Sequence, residues 1–131
     1  MNETRVMVVD DEAIVCDRLK DHLEKNDLRV TTFTDSREAL TALDEGRYHV
    51  VVTDLKMAGA TGLDVLHSIR QRGHPTEVII ITGYASMEAA REAEAVGAYD
   101  FVCKPFELKD LTKKVKKAAK RARRGLPKSE G

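Results

Sequence analysis

Five side chains stand at or just beyond the ends of short apolar runs and could share one piece of chemistry. Asp10 and Asp11 follow Val6-Met7-Val8-Val9, Asp54 follows the run from His49 to Thr53, Thr82 follows Val78-Ile79-Ile80-Ile81, and Lys104 follows the run from Asp100 to Cys103. Three carboxylates held close together repel one another and are hard to keep ionised unless a cation joins them. A hard divalent ion is the natural answer. Mg²⁺ suits it, because it binds through one or two carboxylates, keeps several waters and accepts phosphate oxygens. A carboxylate can also act as a nucleophile and form an acyl phosphate. The cation, the Thr82 hydroxyl and the Lys104 ammonium would then offset charge on the transferring group.

Each residue alone has a plainer reading. Asp10 and Asp11 could cap a helix, as Asp11 is expected to do; Asp54 and Thr82-Gly83 could be turns, and Lys104 a solvated loop lysine. Their joint occurrence at four strand ends favours the chemical reading.

For these residues to meet, the runs must be parallel strands of one sheet. Val6–Val9, His49–Thr53 and Val78–Ile81 are short and β-branched, which predicts buried central strands. Arg29 to Phe33 alternates and predicts a strand nearer an edge. Between the strands, Val15, Leu19 and Leu23 recur at helical spacing, as do Ala39, Leu40 and Leu43, and Leu63, Leu66 and Ile69. An Ala-rich stretch from Ser86 to Val96 and a last helix carrying Leu108, Leu111, Val115, Ala118, Ala119 and Ala122 complete the pattern. Five strands alternating with five helices predict an α/β, doubly wound parallel sheet with helices on both faces. Ligands of such sheets bind at the carboxyl ends of the strands. That rule selects the same five residues.

With 131 residues, 42% hydrophobic and 34% charged, the chain has the balance of one globular domain and not of a disordered polymer. Residues 1–124 are expected to form that domain, and residues 125–131, starting at Gly125-Leu126-Pro127, a disordered tail or linker stub. No apolar run approaches the roughly 20 residues needed to span a bilayer, and the start has no secretory pattern, so a cytoplasmic location is expected. Cys16 and Cys103 lack metal-spaced partners and are expected to pack as small buried side chains. Lys113, Lys114, Lys116, Lys117, Lys120, Arg121, Arg123, Arg124 and Lys128 crowd the C-terminal end of a chain whose net charge is zero. A solvated face continuing into a linker is the plain reading; a contact surface for an acidic partner, or weak nucleic-acid binding by counterion release, is the sharper one. No aromatic residue interleaves with these charges and no helix-turn-helix follows. Direct, sequence-specific DNA binding by this chain is therefore not expected.

The set resembles the receiver domain of bacterial two-component response regulators. The matching pieces are Val8-Val9-Asp10-Asp11-Glu12, Val52-Thr53-Asp54-Leu55-Lys56-Met57, Gly62, Ile80-Ile81-Thr82-Gly83 and Phe101-Val102-Cys103-Lys104-Pro105-Phe106. The resemblance implies a flavodoxin-like sheet of strand order 2-1-3-4-5, with Asp54 accepting a phosphoryl group from a histidine kinase or histidine phosphotransfer protein. It implies Mg²⁺ held by Asp11, Asp54 and the Lys56 backbone carbonyl, with Asp10 acting mainly through water. Thr82 and Lys104 would contact the phosphoryl group, and Lys104-Pro105 would be a cis peptide. Thr82 and Phe101 would form a switch altering the surface of the fourth helix, fifth strand and fifth helix, with a homodimer on phosphorylation as one outcome. Lys56 and Tyr84 would tune phosphate lifetime. Such a domain phosphorylates and dephosphorylates only itself and is not an enzyme in the usual sense. Two departures stand out: Ala58 where many receivers have proline, and Phe101 in place of a common tyrosine. A haloacid-dehalogenase-type phosphatase also uses an aspartyl phosphate, but it needs a second acid two positions after the nucleophile, where Lys56 stands here. A flavodoxin-like flavin binder needs a phosphate-cradling loop after the first strand, where two aspartates stand instead.

Overall fold

A computed structural model describes residues 3–83 and 86–125. Five strands, β1 (Thr4–Val9), β2 (Leu28–Phe33), β3 (Val50–Asp54), β4 (Glu77–Thr82) and β5 (Asp100–Cys103), alternate with α1 (Ala13–Glu24), α2 (Ser36–Glu45), α3 (Gly62–Gln71), α4 (Met87–Val96) and α5 (Leu108–Gly125). All strand pairs are parallel, in the order β2-β1-β3-β4-β5. The expected fold class and strand order are both observed.

The apolar runs are continuous because both faces of the central strands are covered. Successive side chains point to opposite faces, so Val6 and Val8 of β1, Val50 and Val52 of β3, and Ile79 and Ile81 of β4 enter one core. Met7 and Val9, Val51, and Val78 and Ile80 enter the other. On the first face lie Cys16, Leu19 and Leu23 of α1 with Leu111, Val115 and Ala118 of α5. On the second lie Ala39 and Leu43 of α2, Val65, Leu66 and Ile69 of α3, and Ala93 of α4. β2, at one edge, keeps the alternating burial its sequence suggests.

Helix ends follow from short polar side chains. Asp35 accepts the Arg37 N–H, Ser86 accepts the Ala89 N–H, and Thr61 forms a reciprocal capping box with Asp64. Gly97 ends α4 at φ 97°, a left-handed conformation that suits glycine. α1 differs from expectation. Its N-cap is Glu12, which makes no side-chain cap, so Asp11 does not cap the helix. Asp10 instead accepts the Glu12 N–H at 2.9 Å, which leaves Asp11 exposed beside it.

Opposite the carboxyl ends of the strands, buried Glu77 is held by Arg121 Nε of α5 at 2.8 Å and by Arg70 Nη2 of α3 at 3.6 Å. Nearby, His49 Nδ1 accepts the Arg5 backbone N–H at 3.0 Å, so its ring must be neutral at that atom. Burial, aided by Arg123 and Arg5, holds the His49 pKa below the usual histidine value. A folded-state pKa below the unfolded one means that stability is present above about pH 6.5 and is lost as pH falls through the folded value. His74, displaced the same way by burial, acts in the same direction. On acidification from pH 7 to 5 the two histidines therefore pull Tm down, against the opposite contribution of Asp54, and His49→Asn should shift the slope of Tm against pH toward a smaller loss than in wild type. An unchanged slope would remove His49 as a contributor.

The cysteines part company. Cys16 is buried, but Cys103, at the end of the edge strand β5, is exposed. β5 is too short and too near the edge to bury its last side chain. Burial, with the nearby Asp10 charge, raises the Cys16 pKa to about 11. Because the thiolate is the reactive form, iodoacetamide should label Cys103 first in the native protein and Cys16 only on unfolding. Rapid native labelling of Cys16 would contradict this packing.

Candidate functional site

The parallel pairing of the strands brings the carboxyl ends of β1, β3, β4 and β5 side by side. Register does the fine positioning. Asp54, the last residue of β3, lies opposite Ile81, and Thr82 lies opposite Cys103. The Asp10 N–H donates to the Phe33 carbonyl at 3.0 Å, and the Lys104 N–H to the Thr82 carbonyl at 2.7 Å. The chain then turns through a cis Lys104-Pro105 bond, as the resemblance implied. Asp10 is 0% exposed, Thr82 1% and Asp54 7%, so only Asp11 and part of Lys104 face solvent freely.

Lys104 Nζ sits between the carboxylates. It donates to Asp10 Oδ2 at 3.1 Å and to Asp54 Oδ2 at 3.3 Å, with Glu12 Oε1 at 3.8 Å. Burial disfavours its ammonium, but the hydrogen bond to Asp10 and the charges of Asp10 and Asp54 outweigh that and raise its pKa. Asp54 is pushed above the usual aspartate range by burial and then by Asp10; Lys104 and a backbone hydrogen bond from Lys56 oppose the shift without cancelling it. The sequence placed Asp10, Asp11, Asp54 and Lys104 in one crevice, and the structure brings them together. Thr82 ends the adjacent strand at the same edge. Tyr84 lies outside the described residues.

Carboxylate oxygens of Asp10, Asp11 and Asp54 lie within 4.8 Å of one another. One ammonium among three carboxylates leaves excess negative charge, which adds through Asp10 to the upward shift that burial imposes on Asp54. The donors are all oxygen, with neither thiolate nor imidazole among them, which suits a hard cation such as Mg²⁺ and not Zn²⁺. The residues fit the ion.

The loop after Asp54 is shaped by close backbone approach. Gly62, the first residue of α3, would place a Cβ 2.4 Å from the Asp54 carbonyl oxygen, while its N–H donates to the Leu55 carbonyl at 2.9 Å. Gly59 takes φ 83°, and Ser36 Oγ donates to the Ala58 carbonyl at 3.4 Å. Phe101 is half-buried and packs against the core beneath α2, α3 and α4. Its N–H donates to Asp100 Oδ1 at 2.7 Å, and Asp100 Oδ2 receives Lys114 Nζ of α5 at 2.6 Å. Sequence reasoning gave no role to Glu12, Asp100 or Lys114. Pairs so far apart along the chain carry no local signal.

A parallel five-stranded sheet with an acidic triad and a lysine at its carboxyl edge defines the receiver class of signalling domain. Comparison with known proteins agrees: residues 6–116 match the family model of the response regulator receiver domain, and the chain belongs to that family. The transcriptional regulatory protein FixJ of Bradyrhizobium diazoefficiens is 34% identical over 89% of this chain and 57% of its own. QseB of Escherichia coli O157:H7 is 31% identical over 89% of this chain and 53% of its own. The chain thus spans about half the length of these relatives. Among solved structures, a response regulator receiver domain protein from Clostridium thermocellum superposes with a TM-score of 0.87 at 30% identity, covering 94% of this chain and 99% of that one. These matches give no support to a haloacid-dehalogenase-type phosphatase.

Proposed function

We propose that Asp54 is the residue phosphorylated in this receiver, by a histidine kinase or histidine phosphotransfer protein in the cytoplasm, and that the receiver unit spans residues 1–124. The observation that carries this is the single lysine held between Asp10 and Asp54, with the Asp11 carboxylate exposed at the mouth of the same site. Asp54 Oδ attacks phosphorus as the bond from phosphorus to the donor nitrogen breaks, and the departing nitrogen takes up a proton. Lys104, already at the Asp54 carboxylate, moves its donors onto the new phosphoryl oxygens. Thr82, on the neighbouring strand, supplies a hydroxyl to the same group. Asp10, Asp11, Asp54 and the Lys56 backbone carbonyl would hold Mg²⁺, which offsets charge on the transferring group when bound. The protein acts on itself alone and turns over no second substrate.

The output is a population shift. Thr82 is drawn toward the phosphoryl group, Phe101 completes its burial, and the α4-β5-α5 surface changes its affinity for a partner. A second copy of the chain is one such partner; a beryllofluoride-activated NtrC4 receiver domain, 32% identical over 90% of this chain and 98% of its own with a TM-score of 0.85, has been solved as a dimer. Phe101 has no hydroxyl to hold it at the surface, which favours the inward position.

Lys104→Met tests the reading. Removing a preorganised cation from developing charge costs on the order of 100-fold in rate. Labelling from phosphoramidate with Mg²⁺ should slow by about that factor, while the fold is retained. An unchanged rate would exclude Lys104 from the reaction.

A further inference from the structure

α5 is the most strongly charged feature of the molecule, and neither the site nor the family accounts for it. The family match ends at residue 116, whereas α5 continues to Gly125. Over residues 1–108 the chain carries 20 of its 22 acidic side chains and 12 of its 22 basic ones; the remaining 2 and 10 follow. The helix therefore concentrates positive charge on an otherwise acidic body.

Seven of the nine described cations of α5 fall into two groups, with exposed Lys117 and Arg124 outside both. Lys114 and Arg121 turn toward the sheet, pair with Asp100 and Glu77, and pin the helix down. Lys109, Lys113, Lys116, Lys120 and Arg123 recur at alternating steps of four and three, and all five are exposed. Among the described residues, these five form no salt bridge; Lys20, Lys25, Arg29, Arg37 and Arg72 are each paired with a carboxylate, whereas exposed Arg18, Arg47 and Arg91 are not. Neighbouring like charges three and four residues apart weaken a helix by about 0.2–0.5 kcal/mol per pair. α5 tolerates that because Leu111, Val115, Ala118, Ala119 and Ala122 anchor it to the sheet.

We propose that this stripe binds the phosphate backbone of duplex DNA without regard to sequence. For the stripe by itself, as distinct from the α4-β5-α5 surface as a whole, a protein partner is the poorer fit. Protein interfaces need apolar or aromatic anchors at their centre, and the exposed positions of α5 from Lys109 to Gly125 offer none. Interfaces with DNA are dominated by positive charge and need no such anchor. The stripe is about 21 Å long at 1.5 Å per residue, and duplex DNA offers one negative charge per about 1.7 Å of its axis, counting both strands. It carries nothing that reads bases, in keeping with the lack of sequence-specific recognition expected from the sequence. The acidic body restricts contact to α5 and makes the complex weak and salt-sensitive.

The test is fluorescence anisotropy of a labelled 20-base-pair duplex with the full chain, from 25 to 200 mM salt. Five neutralised phosphates predict a log–log salt slope of about −4.5, equal for duplexes of unrelated sequence. Lys113→Gln, Lys116→Gln and Lys120→Gln together should reduce that slope by about 2.7 and leave phosphorylation of Asp54 unchanged. No binding at 25 mM salt would overturn the proposal, as would equal binding by the triple variant. Displacement of the duplex by oligoglutamate of matched charge at equal concentration would also overturn it, in favour of an acidic protein.

Discussion

Asp54→Asn is expected to incorporate no phosphate from phosphoramidate and Mg²⁺, and yet to melt at a higher temperature than wild type in metal-free buffer. The first half follows from chemistry: an amide oxygen is too poor a nucleophile to form the acyl phosphate. The second follows from the direction in which Asp54 is displaced. Burial and the Asp10 charge raise its pKa against the opposing pull of Lys104 and the Lys56 backbone. A folded-state acid with a raised pKa gives stability that is complete below the unfolded value and is lost as pH rises through the folded one. Ionised Asp54 therefore weakens the metal-free fold relative to its protonated form. Asparagine keeps the shape and removes the charge, and Lys104 retains its bond to Asp10. Each kcal/mol recovered should appear as roughly 4 °C in Tm for a domain of this size. Differential scanning calorimetry in chelator checks it. A lower Tm would mean that the Lys104–Asp54 pair outweighs the repulsion; labelling at the wild-type rate would move the acceptor elsewhere.

Gly62→Ala is expected to damage both stability and phosphorylation, although position 62 carries no reactive group. The added Cβ would lie 2.4 Å from the Asp54 carbonyl oxygen and 3.1 Å from both the Asp54 carbonyl carbon and Leu55 Cα. All three are backbone atoms, so no rotamer change relieves the contact. The start of α3 must retreat, straining the bond from the Gly62 N–H to the Leu55 carbonyl, or the Asp54 peptide must tilt. Overpacking of this kind costs about 1–3 kcal/mol, or more where backbone must move. The melting point should fall by roughly 4–12 °C. Labelling should slow as well, because the displaced peptide carries the nucleophile. Gly83→Ala is the control: its Cβ would come no nearer than 4.0 Å to Lys104 Cβ, an ordinary contact. Equal melting points for Gly62→Ala and wild type would show that the loop yields more easily than its backbone contacts imply.

Much of this was legible in the sequence because both the sheet and the site obey local rules. Val6–Val9, His49–Thr53 and Val78–Ile81 announce buried strands by composition, and each stops at the polar residue that the carboxyl-edge rule needs. The alternation in β2 marked it as a half-exposed strand, and it lies at the edge. What the sequence could not supply were contacts set by three-dimensional neighbours. Cys103 reads as a small apolar side chain, but β5 ends at the sheet edge and leaves it exposed. Asp11 has the composition of a helix cap, yet α1 begins one residue later and the Glu12 N–H turns to Asp10. The Glu77–Arg121 and Asp100–Lys114 pairs join distant segments, and no local pattern encodes them. Gly62 could be noted in sequence, but the reason only glycine fits lies in the Asp54 backbone beside it.

The central claim is that Asp54 is the phosphate acceptor and that the carboxylates around it work with a divalent cation. Its most direct test is to label the full chain with phosphoramidate, in Mg²⁺ and in chelator, trap acyl phosphate by borohydride reduction, and locate the modified residue by peptide mass spectrometry. A single reduced residue at position 54, formed in Mg²⁺ and lost in chelator, is the result this account predicts. Modification at Asp10 or Asp11 instead, or at Asp54 to the same extent in chelator, would contradict it.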